Sequence, residues 1–154
     1  MRLSELLTEQ RVTTTLRAST KDAALEALAS LLVAGQPGLD QAAVLRVLRD
    51  REGLASTGVG DEVAIPHGRV AGASGLFAAI ALSPSGVEFD SIDHRPVKIF
   101  VAILAPDNRP KDQLSALARV SKLLRDPRVR GRLMQCETPA ALLQSVRDEE
   151  ALLP

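Results

Sequence analysis

Two long apolar runs constrain the fold of this chain more than any other feature of its sequence. One run covers residues 76–82, between a glycine and a Ser-Pro pair, and the other covers residues 97–105, between two prolines. Such runs lack the apolar–polar alternation of a half-exposed strand, and this is typical of strands that are covered on both faces. They predict two central strands of a sheet with other elements packed on each side.

Two helices are predicted before these runs. The first begins after the Ser-Thr pair at 19–20, follows an i, i+3, i+4, i+7 spacing of alanine and leucine, and ends near Gly35. The second is capped by Asp40 and ends at or just past Arg51. Residues 53–60, which hold three glycines, are expected to form a loop after it.

Three more helices are predicted after the runs. The first of them begins at Asp112, while the pairs Asp126-Pro127 and Thr138-Pro139 each supply a cap residue followed by proline at the first helical position. Residues 148–154 are expected to fray. The helix that begins at Asp112 is expected to bury one face, formed by Leu114, Leu117, Ala118, Ser121 and Leu124.

Strands in the middle of the chain with helices on either side predict an α/β fold. Short strands are expected at residues 12–16, 63–65 and 87–89, beside the two central ones. The predicted architecture is a sandwich in which a mixed β-sheet is flanked by helices. A length of 154 residues fits a single domain over residues 1–154.

Composition narrows the class of protein. The chain is 45% hydrophobic and 25% charged, as is ordinary for a globular protein, and its zero net charge gives no global attraction for nucleic acid or an anionic membrane. A single cysteine, Cys136, excludes an internal disulfide and suits a reducing cytoplasm. No apolar run approaches the roughly 20 residues that a membrane helix requires. The protein is therefore predicted to be cytoplasmic and not membrane-embedded.

The segment REGLASTGVGDEVAIPHG, residues 51–68, brings a histidine, an arginine and two hydroxyl side chains close together in the sequence. His67 stands between a proline and a glycine, which predicts that its ring is held on a defined loop. Neutral imidazole is a good nucleophile near pH 7. The guanidinium of Arg51 and the hydroxyls of Ser56 and Thr57 are donors of the kind expected around a phosphoryl group.

This segment resembles the active-site signature of the fructose/mannitol/nitrogen-regulatory type of IIA domain in the bacterial phosphoenolpyruvate-dependent phosphotransferase system. It is most similar to the stand-alone nitrogen-regulatory type. The family pattern reads roughly R-E-x-x-x-S-T-G-[IV]-G-x-x-[IV]-A-I-P-H-G, and the chain matches nearly every fixed position. The resemblance continues through residues 89–93, 96–97 and 104–106 in the same order, and it covers roughly residues 3–146.

The resemblance implies that His67 accepts a phosphoryl group from the phosphohistidine of an HPr-type carrier protein, then relays it or holds it as a signal. The chain would be a phosphotransferase component acting through a phosphohistidine, without a metal or a cofactor. Arg51 would stabilise the charge of the phosphoryl group, and Ser56, Thr57 and the backbone of Gly58 would complete its binding. A backbone carbonyl is the expected partner of the other ring nitrogen of His67.

The family often carries a second active-site histidine near the start of the helix that follows the strand ending in Ala-Pro. The corresponding position here is Gln113, or Ser115 if the register slips. Glutamine can donate to a phosphoryl oxygen but cannot carry positive charge, which is more compatible with a regulatory phospho-acceptor than with a fast sugar-transport relay. The other histidine, His94, is expected to lie exposed in a polar turn.

Structural roles compete with the chemical ones at several of these positions. Arg51 could bind the carbonyls at the end of a helix. Ser56 and Thr57 could stabilise a turn through their hydroxyls, and the glycines are expected more for backbone freedom than for ligand contact. The basic stretch at residues 119–132 could bind nucleic acid or an acidic protein; the zero net charge and the absence of interleaved aromatic residues argue against nucleic acid.

Three functions therefore remain open at the level of the sequence. The favoured one is a regulatory phosphocarrier whose partners are an HPr-type carrier and a target protein. The second is a fructose/mannitol-type IIA subunit that passes phosphate to a separate IIB domain of a sugar transporter. The third is a non-catalytic module that binds its partner whether or not it is phosphorylated.

Overall fold

A six-stranded mixed sheet forms the centre of the molecule in a computed structural model that describes residues 1–154. The strand order is β1-β5-β6-β3-β2, and β4 also pairs with β6. Strands β5 and β6 are antiparallel, whereas β1 runs parallel to β5, and both β3 and β4 run parallel to β6. The strands are β1 (Val12–Thr13), β2 (Gly58–Gly60), β3 (Val63–Ala64), β4 (His67–Val70), β5 (Phe77–Val87) and β6 (Val97–Pro106).

Five α-helices cover the two faces of this sheet, as the sequence predicts. Two short 3₁₀ helices precede them, at Leu3–Leu6 and Glu9–Arg11. None of the helices combines the length and apolar character that crossing a bilayer requires. The α-helices are α1 (Lys21–Val33), α2 (Gln41–Leu54), α3 (Pro110–Leu124), α4 (Pro127–Met134) and α5 (Pro139–Ala151).

The two predicted central strands, β5 and β6, are buried on both faces and divide the interior into two cores. Alternate residues of β6 point to opposite sides, so that Val101 belongs to the core formed with α3, α4 and α5, while Phe100 belongs to the core formed with α1 and α2. Strand β5 continues through Pro84 to Val87, so the separate strand predicted at residues 87–89 is wrong. Pro84 is tolerated because the ladder with β6 shifts register between Leu82 and Val87.

The predicted helix starts are confirmed at four of the five helices. Thr20, Asp40, Asp126 and Thr138 each accept a hydrogen bond from a backbone N–H of the first turn. Helix α3 instead begins at Pro110, two residues earlier than predicted, because proline fits the first helical position without losing a hydrogen bond.

The predicted buried face of α3 is also wrong. Leu114 is 68% exposed, and Ala118 and Ser121 are exposed as well, although Leu117 is partly and Leu124 fully buried. The helix is rotated so that it buries Gln113, which donates to the backbone of β4. The residues that this face buries are Gln113, Ala116, Val120, Leu123 and Leu124.

The signature region is more regular than predicted. Helix α2 continues through Gly53 to Leu54, and Gly58–Gly60 forms strand β2, so the expected loop is reduced to a few residues. His67 does not lie on a loop but begins strand β4, opposite Ile103 of β6. The pairing of His67–Val70 with β6 is a tertiary contact that a local sequence pattern does not reveal.

The C-terminal residues do not fray from residue 148 onward, because two buried carboxylates hold them. Glu149 accepts from Arg128 at 2.7 Å and from Arg132 at 2.7 Å, and Glu150 pairs with Arg119 at 3.2 Å. Half of the six basic residues at positions 119–132 are thus paired with acidic residues of α5, which lowers the positive charge that the stretch presents to another molecule.

Candidate active site

Three elements converge on one cavity of about 560 Å³. Strand β4 contributes His67, the last turn of α2 contributes Arg51, and the first turn of α3 contributes Gln113. The cavity is open to solvent, and it brings together three of the residues that the sequence predicts for the site. Its other lining residues are Val47, Asp50, Leu54, Gly68, Arg69 and Asp107.

Gly68 allows β4 to approach α2 closely enough to bring His67 beside Arg51. A Cβ atom at position 68 would lie 2.7 Å from Cγ2 of Val47 and 3.0 Å from its Cβ, closer than packed carbon atoms tolerate. The glycine beside His67 therefore serves the close packing of a strand on a helix, and not the loop that the sequence predicts. Glycine is required at position 68 because a Cβ atom has no room there, and not because of its backbone torsion angles.

Both ring nitrogens of His67 have a partner, and together the partners define its tautomer. Nδ1 lies 2.8 Å from the carbonyl oxygen of Ile65, which can only accept, so Nδ1 carries the proton. Nε2 accepts a hydrogen bond from Nε of Arg51 at 3.3 Å. The lone pair of the ring therefore sits on Nε2, on the side of Arg51. The backbone carbonyl expected from the sequence is that of Ile65.

The environment of His67 favours the neutral ring. Burial lowers the pKa of His67 below its ordinary value of 6.5, and the positive charge of Arg51 acts in the same direction. The hydrogen bond to the carbonyl of Ile65 and the negative charge of Glu52 act against this and raise the pKa. Because the net shift is downward, Nε2 is unprotonated and nucleophilic at neutral pH.

Arg51 binds a carbonyl just past the end of its own helix and also contacts His67. Its Nη1 donates to the carbonyl of Ala55 at 2.9 Å, beyond the end of α2, while its Nε donates to Nε2 of His67. The guanidinium is thereby fixed in the cavity by the helix end. Its charge is not offset by any carboxylate within salt-bridge distance, so it remains available to an anion.

Gln113, and not Ser115, enters the cavity. The residue is 7% exposed, and its Nε2 donates to the carbonyl of Gly68 at 2.6 Å, directly beside His67. Ser115 is exposed and lies on another part of the surface of α3. The bond from Gln113 ties α3 to β4 and satisfies the backbone carbonyl of the residue that follows His67.

The hydroxyls predicted to bind the phosphoryl group have other partners. Ser56 Oγ donates to the carbonyl of Phe89 at 3.0 Å, and Thr57 Oγ1 donates to the carboxylate of Glu52 at 2.5 Å. A Cβ atom on Gly58 would lie 2.9 Å from Cα of Ser91, so this position is closed by backbone packing. Ser56, Thr57 and Gly58 do not line the cavity that holds His67. Their contacts favour the turn-stabilising role.

Arg69 is the residue of the cavity that sequence reasoning missed. It lies two positions after His67 on β4, so both side chains are on the same face of the strand. Arg69 is exposed and forms no ion pair within the chain. The signal that identifies Arg69 is the period-two alternation of a strand, which applies only when His67 lies on a strand and not on a loop.

The remaining predicted features lie away from the cavity. His94 is exposed in a turn with φ of 61°, as expected of a polar connection between strands. No group of three or more histidine, cysteine or acidic side chains is arranged to bind a metal ion. A second cavity, between residues 15–19 and 84–85, contains no nucleophilic nitrogen or sulfur.

Comparison with known proteins identifies relatives of both regulatory and sugar-specific type. The chain is 35% identical to the nitrogen regulatory protein of Bradyrhizobium diazoefficiens over 152 residues, which cover 99% of this chain and 92% of that protein. It is 36% identical to the fructose-specific EIIA component of Haloferax volcanii over 130 residues, which cover 84% of this chain and 82% of that protein.

Solved structures share the fold. The crystal structure of the nitrogen regulatory protein IIA-Ntr from Neisseria meningitidis superposes with a TM-score of 0.86 at 29% identity, over 93% of this chain and 97% of that one. The IIA protein in a complex of mannitol IIA with phosphorylated IIB from Escherichia coli has a TM-score of 0.76 at 22% identity, over 92% of this chain and 97% of that one.

The family described as "Phosphoenolpyruvate-dependent sugar phosphotransferase system, EIIA 2" matches residues 5–149. This range includes the whole signature and every α-helix apart from the last residues of α5. The chain therefore belongs to the EIIA 2 family of the phosphoenolpyruvate-dependent phosphotransferase system and is a phosphocarrier or regulatory IIA protein.

Proposed function

We propose that His67 is the residue that carries the phosphoryl group, and that the group arrives from the phosphohistidine of an HPr-type carrier protein. The observation that supports this most directly is the pair of bonds on the imidazole. The carbonyl of Ile65 holds Nδ1–H, which leaves the lone pair on Nε2, and Arg51 lies 3.3 Å from that atom in an open cavity.

The transfer is a displacement at phosphorus. The lone pair of Nε2 forms the new P–N bond as the P–N bond to the carrier's histidine breaks, and the electron pair of that bond returns to the carrier's ring. Nδ1 keeps its proton throughout, because its bond to the carbonyl of Ile65 does not depend on Nε2. The ring then gains the positive character that this carbonyl stabilises.

Arg51 would bind the equatorial oxygens of the transferring group. Its Nε occupies the lone pair of Nε2 in the resting site, so its donor must turn from the nitrogen to a phosphoryl oxygen as the P–N bond forms. Arg69 offers a second positive charge at the same cavity. Gln113 supplies no charge and is bound to Gly68, in keeping with an acceptor that holds its phosphoryl group.

A regulatory role in the cytoplasm is the form of this function that we favour. Relatives named as nitrogen regulatory proteins match nearly the full length of the chain. The second candidate, a sugar-transport subunit that passes phosphate to a separate IIB, rests on the 36% identity to a fructose-specific component. Transfer to a IIB domain would identify that role, and a target protein that distinguishes the phosphorylated form would identify the first.

Intact-mass analysis tests the proposal. The protein is incubated with phosphoenolpyruvate, enzyme I and an HPr-type carrier, beside His67→Ala and His94→Ala variants. One acid-labile phosphoryl adduct is expected on the wild type and on His94→Ala, and none on His67→Ala. An adduct that persists in His67→Ala would overturn the assignment. No adduct on the wild type, with carriers proven active on another IIA protein, would identify a non-catalytic binding module.

A further inference from the structure

Glu52 is a buried carboxylate that borders the site without lining its cavity. It follows Arg51 on α2, and its side chain is only 4% exposed. A buried charge is tolerated only where opposite charge and hydrogen-bond donors compensate it. Glu52 has both, since Nζ of Lys21 lies 2.8 Å from Oε1, and the backbone N–H and the hydroxyl of Thr57 donate to the carboxylate.

Three successive hydrogen bonds lead from this carboxylate to the imidazole of His67. The N–H of Thr57 donates to Oε1 of Glu52 at 2.9 Å. The carbonyl of the same Thr57 accepts from the N–H of Ile65, also at 2.9 Å. The carbonyl of Ile65 then accepts from Nδ1–H of His67 at 2.8 Å. A continuous path of hydrogen bonds thus joins the buried carboxylate to the ring through the backbone of two residues.

The far side of Glu52 is anchored by a different element. Lys21 opens α1, and its ammonium group lies 5.0 Å above the centre of the Phe89 ring and 3.8 Å from the carboxylate of Asp90. Glu52 is therefore clamped between α1 and the turn after α2. Such a clamp limits the movement of Thr57 relative to the sheet.

We propose that Glu52 is a positioning residue for His67: through Thr57 and Ile65 it holds the ring in the Nδ1–H tautomer and aims Nε2 at the incoming phosphorus. Glu52 does not touch the phosphoryl group. Its contribution is the fixed direction of the Ile65 carbonyl, together with a negative charge that stabilises the ring as it becomes positive. The role in transfer rests on the proposed function of His67, whereas the control of the tautomer does not.

The test compares Glu52→Gln with Glu150→Gln. Glu150 is a matched control, because it is also fully buried and also accepts from backbone N–H groups, at Leu3 and Ser4, but on another part of the molecule. Two properties are measured: the tautomer and the pKa of His67, by nitrogen-15 NMR in the His94→Gln background, and the kcat and KM of phosphorylation by the carrier.

Glu52→Gln is expected to lower kcat roughly 10- to 100-fold with little change in KM, as when a group that orients a reactive residue is lost. The Nε2–H tautomer should appear in this variant, and the pKa of His67 should fall further, because Glu52 raises it. If the substitution only loosened the packing around His67, the ring would become more exposed and its pKa would rise instead of falling. The other charged groups of the cavity, Asp50 and Arg51 on α2, Arg69 on β4 and Asp107 before α3, are unchanged.

The outcomes separate the two proposals. Unchanged tautomer and kcat in Glu52→Gln, or equal losses in Glu150→Gln, would overturn the positioning role. If Glu52→Gln does not fold, Glu52→Asp keeps the charge but draws the carboxylate away from the N–H of Thr57 and should shift the tautomer and kcat in the same direction by a smaller factor. No shift in a folded Glu52→Asp would equally overturn the positioning role. If the wild type accepts no phosphoryl group, the proposed function fails while the tautomer measurement still decides the role of Glu52.

Discussion

His67 is held at both ring nitrogens, and the two contacts have opposite consequences for its charge. The bond from Nδ1–H to Ile65 stabilises a protonated ring, whereas burial and the nearby guanidinium of Arg51 oppose it. Burial has the largest effect, so the neutral ring prevails. A nitrogen that attacks phosphorus must be unprotonated, and the neutral ring meets this requirement.

The first prediction concerns the pH dependence of the site. Because the pKa of His67 is lowered from 6.5, the ring stays neutral down to a pH below that value. The folded state then gains stability from the neutral ring above pH 6.5 and loses it as the pH falls through the lowered pKa. NMR titration of His94→Gln, in which His67 is the sole histidine, should give a midpoint below 6.5. A midpoint above that value would contradict the burial argument.

The second prediction concerns the shape of the Arg51 side chain. Arg51→Lys keeps the charge but loses the planar group that reaches Ala55 and His67 together, so transfer should slow by roughly 10- to 100-fold. Arg49→Lys is the matched control, since Arg49 lies on the same helix but pairs with Asp22 and Glu26 outside the site. Equal rates in the two variants would show that Arg51 serves only the helix end.

At the scale of elements, the sequence predicts what local chemistry determines. The caps at Thr20 and Thr138 and the doubly buried β5 and β6 are encoded by adjacent residues, and the structure confirms them. The rotation of α3 was not predictable in this way, because it depends on a bond from Gln113 to a strand 45 positions earlier. The same holds for the site: its motif predicts that His67 and Arg51 belong together, and both line the cavity, whereas the position of Arg69 follows only once β4 is known to be a strand.

The contact between α2 and β4 gives the third prediction. Gly68→Ala places a Cβ 2.7 Å from Val47 Cγ2, so the free energy of unfolding should fall by about 1–3 kcal/mol as the strand moves away. Transfer should also slow, because His67 moves with the strand. Chemical denaturation and phosphorylation rates measure both effects.

Two variants check that the clash is the cause. Adding Val47→Ala to Gly68→Ala should recover part of the lost stability, since the clashing methyl groups are then absent. Gly53→Ala, on the same helix with nothing within 4 Å of its Cβ position, should stabilise the protein by about 0.5–1 kcal/mol. A Gly68→Ala protein as stable as Gly53→Ala would refute the packing argument.

At the scale of the whole molecule, the site requires both helical layers to be fixed to the sheet. Arg51 comes from α2 on one side and Gln113 from α3 on the other, with β4 between them. The layer that contains α3 is tied together by the end of α5, whose Glu150 accepts from the N-terminal backbone and from Arg119. Glu150 therefore contributes to the stability of this layer, on a part of the molecule remote from the cavity that holds His67.

The fourth prediction concerns Glu149, the other buried carboxylate of α5. Hydrogen bonds from Arg128 and then Arg132 lower the pKa of Glu149 from 4.5 to about 2. Since this pKa is lower in the folded state, its contribution to stability is complete above pH 4.5 and disappears as the pH falls through about 2. Glu149→Gln should therefore be less stable than the wild type at neutral pH, and the difference should shrink across this window.

Asp148→Asn is the matched control, because Asp148 shares Arg132 but is exposed and should matter little. Denaturant unfolding at several pH values measures the difference, and parallel pH profiles for Glu149→Gln and the wild type would show that the arginine pairs do not stabilise the fold.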